Sequence, residues 1–568
     1  MTDIQIKSRK KRLVNEFQKK LNVIREKHTP FHTIEIEISV LPFQEHKLSR
    51  IGEHLRVIRN TVLGQLIKNY DQMIRTKAHK RMMKRYLAVT NKMKSAEKEE
   101  VDLLRSEKAI ISKQFEELRK AHNVTFDFAR NYGAKLRNTK YTLPDSVTVW
   151  SACEMAWDSV EGLIYRGSKK PYFYKKDKFM TFQGKQAERC IMLKKNKKDG
   201  SFFVSHQGMS FPLIVKPNDL FIEETLSNIV FYMENGDEVD KGNVERHICG
   251  RPIQSTFRIR NNRIIRRMIR GKIRHFLQVV LEGNPVLKRK EDGTFRHGLG
   301  RGRLGGDIGT QSVAIVSKNK AMLKNLAERS ANTFAYESKI VALQRKLQRS
   351  RRAMNPDYYH EDGRIKKGKR EWVYSKRYLK LKSRLRDLHR KAAESRKYAH
   401  NEEVNHLRSL GDEIIIETMN IKSLQKKAKE ATKNEKTGKW NRRKRFGKSI
   451  ARRSPGYFIS QLKHRFTRTG GIVREVNTMS FKASQYDHVI DGTNKKQLSQ
   501  RWHTLPCGTR IQRDLYSAFL LYCSAKDWQR VNNELCQLFF TDFYRLHDRC
   551  IQTIKNNRQV VLNSGIKY

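Results

Sequence analysis

The sequence predicts an α/β multidomain protein. A small β-barrel or sheet carrying an inserted helical block is followed by a second domain of alternating strands and helices. Three observations carry that expectation. The 568 residues suffice for several domains with sizeable cores. Within the first half the apolar period changes from two to helical spacing and back. In the second half, three short apolar stretches each hold one acid at or near an element end.

Composition narrows the partners. The formal net charge is +61, from 119 Lys and Arg against 58 Asp and Glu. Such an excess repels itself in a compact state unless a polyanion offsets it. Aromatic residues are 9% and hydrophobic residues 38%, so the charge belongs to a folded protein and not to a disordered basic tail. A long stretch of nucleic acid is the expected partner. No apolar run is long enough to span a bilayer, and no apolar segment follows the first basic residues as a signal peptide requires. No membrane partner is expected. The seven cysteines, Cys153, Cys190, Cys249, Cys507, Cys523, Cys536 and Cys550, include no C-x-x-C pair. That pattern predicts a reducing compartment, no disulfide framework and no intact cysteine zinc site.

Residues 1–30 form a basic arm, with Lys7, Arg9, Lys10, Lys11 and Arg12 ahead of Lys19 and Lys20; it reads as solvated or as phosphate-binding. Ile34, Ile36, Ile38 and Val40 alternate with polar residues, which predicts a strand with one wet face that Pro42 ends. Leu48, Ile51, Leu55, Ile58, Val62, Leu66 and Met73 then recur at helical spacing. Further helices are expected around Val101–Leu118 and over 144–165. The basic faces of this block, such as Arg75, Lys77, Lys80, Arg81, Lys84 and Arg85, suit a wall of a nucleic-acid channel. Runs at 179–193, 201–204, 212–215 and 229–233 read as short strands, with a hairpin turn at Asp199-Gly200. Residues 264–281 read as a basic helix bearing Arg266, Arg267, Arg270, Lys272 and Arg274.

Gly300-Arg301-Gly302-Arg303-Leu304-Gly305 satisfies G-x-G-x-x-G, but a strand follows where a dinucleotide site needs a helix, so no nucleotide cofactor is expected. The second domain opens with Gly305-Gly306-Asp307-Ile308-Gly309-Thr310 and a β-branched run, a first strand with a carboxylate near its start that turns quickly into a hairpin. A basic helical region covers 333–410, broken by a polar loop at 355–370. Ile414-Ile415-Ile416 predicts a strand buried on both faces, with Glu417 at its C-terminal end. A basic loop over 421–453 contains Arg442, Arg443, Lys444, Arg445, Lys448, Arg452 and Arg453. A helix from Ser454-Pro455, a strand at 472–476 and a polar hairpin over 477–510 lead to a helix with Asp514 in its first turn. A last amphipathic helix runs from Trp528 to Ile554, and the tail after Asn556 is expected to be loose.

Asp307, Glu417 and Asp514 therefore stand at a strand, a strand end and a helix start. Such a set suits phosphodiester hydrolysis, in which two divalent metals on shared carboxylates activate water and stabilise the leaving oxygen. Oxygen ligation favours magnesium, with manganese as the alternative.

The runs Gly306-Asp307-Ile308-Gly309-Thr310, Ile414-Ile415-Ile416-Glu417-Thr418-Met419 and Arg513-Asp514-Leu515-Tyr516-Ser517-Ala518 resemble the three RuvC motifs of the TnpB proteins of insertion sequences, relatives of the type V CRISPR effectors. Lys448-Ser449-Ile450 through Ser454-Pro455-Gly456-Tyr457-Phe458 resembles the family's basic stretch before its third motif. The resemblance is specific over about 300–525; before that only the domain order matches. It implies an RNase H-like (RuvC) nuclease domain plus a wedge-like β-barrel with an inserted helical recognition block. It also implies a guide RNA, a double-stranded DNA target opened beside a short flanking motif, two magnesium ions on Asp307, Glu417 and Asp514, and a prokaryotic cytoplasmic, nucleoid-associated setting.

On this reading the chain divides into six parts. Residues 1–44 are the arm and first barrel strand, and 45–166 the recognition helices. Residues 167–300 are the rest of the barrel and a linker, and 301–476 the first part of the nuclease domain. Residues 477–510 are a target-binding hairpin, and 511–568 the last part of the nuclease domain and its C-terminal helix. Arg266, Arg267 and Arg270, with the basic residues of 442–453, are the candidate phosphate contacts.

One departure concerns that hairpin. The family places two C-x-x-C pairs there, whereas this chain has Asp487 and Ile490 at the first pair and Thr504 and Cys507 at the second. One cysteine cannot hold a tetrahedral zinc. The expectation is a hairpin held by packing without structural zinc, with His488 and His503 the nearest substitute ligands. Two other functions fit the same ancestry: an RNA-guided binder that does not cut, and a transposase-type strand-transfer enzyme. The three acids count against the first, and the helical block and extreme charge against the second.

Overall fold

The computed structural model describes residues 31–567 except 95–96, 169–170, 177, 180, 185–188, 236–243, 249–250, 328–330, 427–429, 434–437, 439, 441–445, 495–496, 498, 526 and 528. The arm at 1–30 and the run Arg442, Arg443, Lys444 and Arg445 lie outside the described residues. Two compact units divide the chain: one runs to Val244 and includes Ser255–Asn284, the other takes Glu245–Gln254 and everything from Pro285.

In the first unit, β1 (Phe31–Ile38) buries His32, Ile36 and Ile38 and turns Glu35 and Glu37 outward, as the alternation predicts. Pro42 sits in the first turn of α1 (Pro42–Arg75), whose Leu48, Ile51, Leu55, Ile58, Val62 and Leu66 are fully buried. Helices α2 (Lys77–Lys92), α3 (Lys98–Ala121), α4 (Phe126–Thr139) and α5 (Ser146–Tyr165) complete the helical block. Thr76, Thr125 and Asp145 cap three of them through side-chain oxygens.

The chain returns to strands at β2 (Thr181–Gly184), β3 (Met192–Lys195), β4 (Phe202–His206) and β5 (Met209–Pro212). Gly200, at φ 71°, makes the turn that Asp199-Gly200 signals. Then come α6 (Leu220–Asn235), β6 (Val244–Ile248), β7 (Arg251–Ile269) and β8 (Lys272–Gly283), of which Glu245–Gln254 are assigned to the second unit. One sheet has the order β1-β8-β7-β2, the other β3-β4-β5. A bridge from Ile38 to Leu213 joins the end of β1 to the second sheet.

Two expectations fail here. Residues 264–281 are not a helix but the β7–β8 hairpin, turning at Arg270 (φ 51°) and Gly271 (φ 82°). The buried residues of β8, His275, Leu277, Val279 and Leu281, alternate with period two, a signal hidden by the surrounding basic residues. Residues 229–233 are helix, not strand: Leu226, Ile229 and Val230 are one buried stripe of α6 at helical spacing.

The second unit is built on a five-stranded sheet with the order β11-β10-β9-β12-β13. Strands β9 (Arg303–Ile308), β10 (Ser312–Ser317) and β11 (Lys320–Asn325) are an antiparallel meander. Helices α7 (Ala331–Ala353) and α8 (Lys376–Leu410) follow, and β12 (Glu413–Glu417) enters parallel to β9 and to β13 (Ile472–Val476). Short helices α9 (Ile421–Leu424) and α10 (Gly447–Arg453) precede α11 (Pro455–Arg468). After β13 come α12 (Thr478–Phe481), two small hairpins and the helices α13 (Arg513–Tyr522) and α14 (Asn533–Asn556). The hairpins are β14 (Tyr486–Asp487) with β15 (Gly492–Thr493), and β16 (Trp502–Thr504) with β17 (Arg510–Gln512).

Helices cover both faces of this sheet, which is why Ile414, Ile415 and Ile416 are all fully buried. Leu304, Ile315, Ile414 and Ile416 pack with Leu407 of α8 and Phe458, Leu462 and Phe466 of α11. Ala314, Val316 and Leu323 pack with Leu515, Phe519 and Phe543 from the other side. Arg408, fully buried, binds the Gly300 carbonyl at 2.7 Å, and the Thr469 hydroxyl and carbonyl at 2.7 and 2.9 Å. It thereby ties the entry to β9 to the end of α11.

The last helix starts at Asn533, capped by the Asn532 side chain, so Val531 lies outside it; Trp528 is outside the described residues. The tail is not loose. Asn325 bonds the Val560 carbonyl and the Leu562 amide at 2.7 and 2.8 Å, and Trp502 donates to the Gly565 carbonyl at 2.9 Å.

A Cβ at Gly305 would stand 2.0 Å from the Ala518 carbonyl oxygen and 2.4 Å from the Tyr522 amide nitrogen. Gly305→Ala is therefore expected to destabilise the second unit by about 1–3 kcal/mol, because both neighbours are backbone. Gly64→Ala, inside α1 with nothing nearer than 3.7 Å, should instead stabilise by about 0.5–1 kcal/mol. Chemical unfolding of the two variants checks both signs.

Candidate active site

The register of the sheet sets the site. Ile416 pairs with Gly306 across the parallel strands β12 and β9, so the next residues, Glu417 at the end of β12 and Asp307 one before the end of β9, stand at one level and on one face. On that face α13 lies against Gly305 through the backbone of Ala518 and Tyr522. One helical turn before Ala518 is Asp514, in the first turn of α13. The three acids thus come together from three elements: all line one cavity of about 440 Å³. Thr310, Thr418, Asn420, Arg501, Arg513 and Asn563 line it too.

The acids interact strongly. Burial, then the charges of Asp514 and Glu417, push the Asp307 carboxyl well above the usual carboxylate range; Arg513 and the Ser517 hydroxyl work against that. Burial raises Glu417 as well, opposed by the Ala483 N–H that its Oε1 accepts at 3.2 Å. Two cations flank the group. Arg513 stands 3.5 Å from Asp514 and donates to the Gln500 carbonyl at 3.0 Å. Burial and Arg513 hold Arg501 below the usual guanidinium range, while Asp514 and Asp307 pull it up.

A concentration of carboxylates this poorly compensated fits a divalent metal. Asp307, Glu417 and Asp514 are the residues that would hold magnesium or manganese, since all their donors are hard oxygens.

The hairpin before α13 is fastened to it by Tyr516. The Tyr516 hydroxyl lies 2.7 Å from His488 Nδ1 and accepts the His488 N–H at 3.0 Å. His503 stacks on the Tyr516 ring at 5.2 Å, and its Nε2 is 2.8 Å from the Asp487 carboxylate. Asp487, His488 and His503 are buried, whereas Ile490 and Cys507 are exposed.

The candidate phosphate contacts separate. Arg453 is buried, donates to the Leu326 carbonyl at 2.7 Å, and accepts at its own carbonyl from His400. Arg266 is buried too, bonded to Ser49 at 2.9 Å and to the Phe179 carbonyl at 2.7 Å. These two guanidiniums are spent inside the fold, which corrects their assignment. Arg267 is exposed and paired with Glu35, Arg452 pairs with Glu337 at 2.9 Å, and Arg270 occupies the β7–β8 turn.

Sequence reasoning missed Arg501 and Asn563 as site residues. Arg501 lies in a stretch read only as polar hairpin, and Asn563 in the tail read as loose. Arg513 stood inside the third motif run, beside Asp514, without being singled out as a site cation.

No family model matches the chain, and no curated protein matches it. Among solved structures, it is similar to a chain of the cryo-EM structure of the Cas12f1–sgRNA–target DNA complex, with a TM-score of 0.39 and 10% identity. That likeness covers 86% of this chain and 98% of the other. Among the described residues no helix is long and apolar enough to cross a membrane.

The raised Asp307 carboxyl has a signed consequence for metal-free protein. The native state binds its proton more tightly than the unfolded chain, so this group's contribution falls as pH rises from about 4, the ordinary Asp value, through the raised native value. In chelator, Asp307→Asn should raise the melting temperature at pH 7, with the gain vanishing near pH 3. Thermal unfolding across that range checks it; an equal gain at every pH would contradict it.

Proposed function

We propose that the chain is a metal-dependent, RNA-guided DNA endonuclease whose second unit is an RNase H-like nuclease domain. The single observation that carries the reading is the convergence of Asp307, Glu417 and Asp514 on one cavity from three distant parts of the sequence. The meander followed by parallel strands, with helices on both faces, supports it. So does the resemblance of the three runs around these acids to the motifs of RNA-guided nucleases. A net charge of +61 supports long polyanions as partners: a guide RNA and a double-stranded DNA target.

Bound divalent metal supplies Lewis acidity at the scissile phosphate and a more acidic water. The protein's own residues do the rest. Asp307 and Glu417, fixed by strand register, set the spacing of the site, and Asp514 closes it from the helix. Arg513 and Arg501 line the same cavity and would offset the charge of an entering phosphodiester against the acids. Ala483 N–H orients the Glu417 carboxylate. Base pairing with the guide reads sequence, while the protein reads a short flanking motif and duplex shape.

The test is to purify the protein with co-expressed RNA, sequence what stays bound, and supply magnesium and a DNA library matching the RNA's variable end. The expected result is a discrete RNA and cutting beside a fixed motif. Asp307→Ala should lose several kcal/mol of transition-state stabilisation, about a thousandfold in rate, with RNA binding intact. Guided binding without cutting would point to a non-cleaving binder. Heterogeneous RNA without guided binding would overturn the reading.

A further inference from the structure

Away from the three acids, in the first unit, a second set of metal-type side chains meets in the interior. Asp145 is the N-cap of α5, Cys190 precedes β3, and His206 ends β4. Cys190 and His206 are 4% and 1% exposed. Cys190 Sγ lies 3.5 Å from Asp145 Oδ1 and 3.9 Å from His206 Nδ1, and one ligand atom from each residue lies within 4.8 Å of the others. In tetrahedral zinc with one sulfur ligand, neighbouring donor atoms are roughly 3.3–3.6 Å apart, so a small inward shift suffices.

The surroundings support the ligands from behind. His206 Nδ1 is 3.0 Å from the Cys190 carbonyl, while Nε2 is buried with no hydrogen-bond partner. Asp145 Oδ2 accepts from the Thr148 hydroxyl and the Gln207 amide, both at 2.8 Å. Asp145 Oδ1, facing Cys190, also accepts the Thr148 N–H at 2.8 Å as the N-cap bond. With His206 Nδ1 donating to the Cys190 carbonyl, Nε2 is the nitrogen left to ligate; a carboxylate and an imidazole oriented by such hydrogen bonds are a usual setting of zinc ligands.

We propose that Asp145, Cys190 and His206 bind a zinc ion that fastens the first turn of α5 to the β3–β4–β5 sheet. Mixed sulfur, nitrogen and oxygen donors select zinc over magnesium. Water completes the fourth position. On loading, the Cys190 S–H bond breaks and a zinc–sulfur bond forms, the proton leaving to solvent. Neutral His206 and ionised Asp145 donate lone pairs, and nothing is oxidised or reduced. The site lacks C-x-x-C spacing, so it escapes the cysteine pattern that led to the expectation of no structural zinc. It rests on first-unit residues and stands apart from the nuclease reading.

Full-length protein stripped by chelator and titrated with Co²⁺ tests the proposal, because only a cysteine ligand gives a thiolate-to-cobalt charge-transfer band; the carboxylates of the nuclease cavity give none. The expected result is one such band per chain that Zn²⁺ abolishes. It should persist in Cys507→Ser, which removes the exposed thiol, and vanish in Cys190→Ser. Asp145→Asn, which keeps a capping oxygen, should weaken zinc about tenfold or more. Zinc should raise the melting temperature of wild type and Cys507→Ser but not of Cys190→Ser. Absence of the band in wild type, its survival in Cys190→Ser, or an equal zinc-induced rise in Cys190→Ser would each overturn the proposal.

Discussion

The approach of α13 to β9 at Gly305 is the constraint on which the second unit depends. The backbone of Ala518 and Tyr522 comes closer to that strand than any side chain allows. Sheet register places Asp307 beside Glu417, but register alone gives two acids at a strand end. The helix pressed on Gly305 brings Asp514 over them one turn earlier. A glycine two residues before the first acid therefore acts on the third acid, more than two hundred residues away. The same helix carries Tyr516, so the hairpin that closes the site is fixed by the same contact.

That geometry opposes simple electrostatics. Like charges on neighbouring strands, about 5 Å apart, repel by roughly 3 kcal/mol at an effective dielectric near 20. The chain is strongly cationic, yet only Arg501 and Arg513 line this cavity among its described cations. The excess positive charge suits long-range attraction of polyanions, while the cavity itself stays locally acidic. The raised Asp307 carboxyl is the sign of that tension.

Much of this was legible because it depends on local pattern. Three consecutive isoleucines demanded a doubly covered strand, and Ser454-Pro455 marked the start of a helix. Glu417 and Asp514 stood at element ends that local pattern could place, whereas Asp307, expected near the start of its strand, lies near its end because the strand begins earlier, at Arg303. Other features were not legible, for physical reasons. The β7–β8 hairpin hid its period under arginines that pair outward with Glu35 and Glu37. Arg453 and Arg266 look like surface charge in sequence, but their guanidiniums satisfy buried carbonyls. The tail was misjudged because its anchors, Asn325 and Trp502, are remote. The Asp145, Cys190 and His206 group likewise has no sequence spacing to announce it.

The most direct test of the central claim is an anomalous-scattering map from crystals soaked in manganese. The account predicts peaks enclosed by the carboxylates of Asp307, Glu417 and Asp514, lost in Asp307→Ala. A cavity without manganese at saturating concentration, while the wild-type fold is intact, would contradict it.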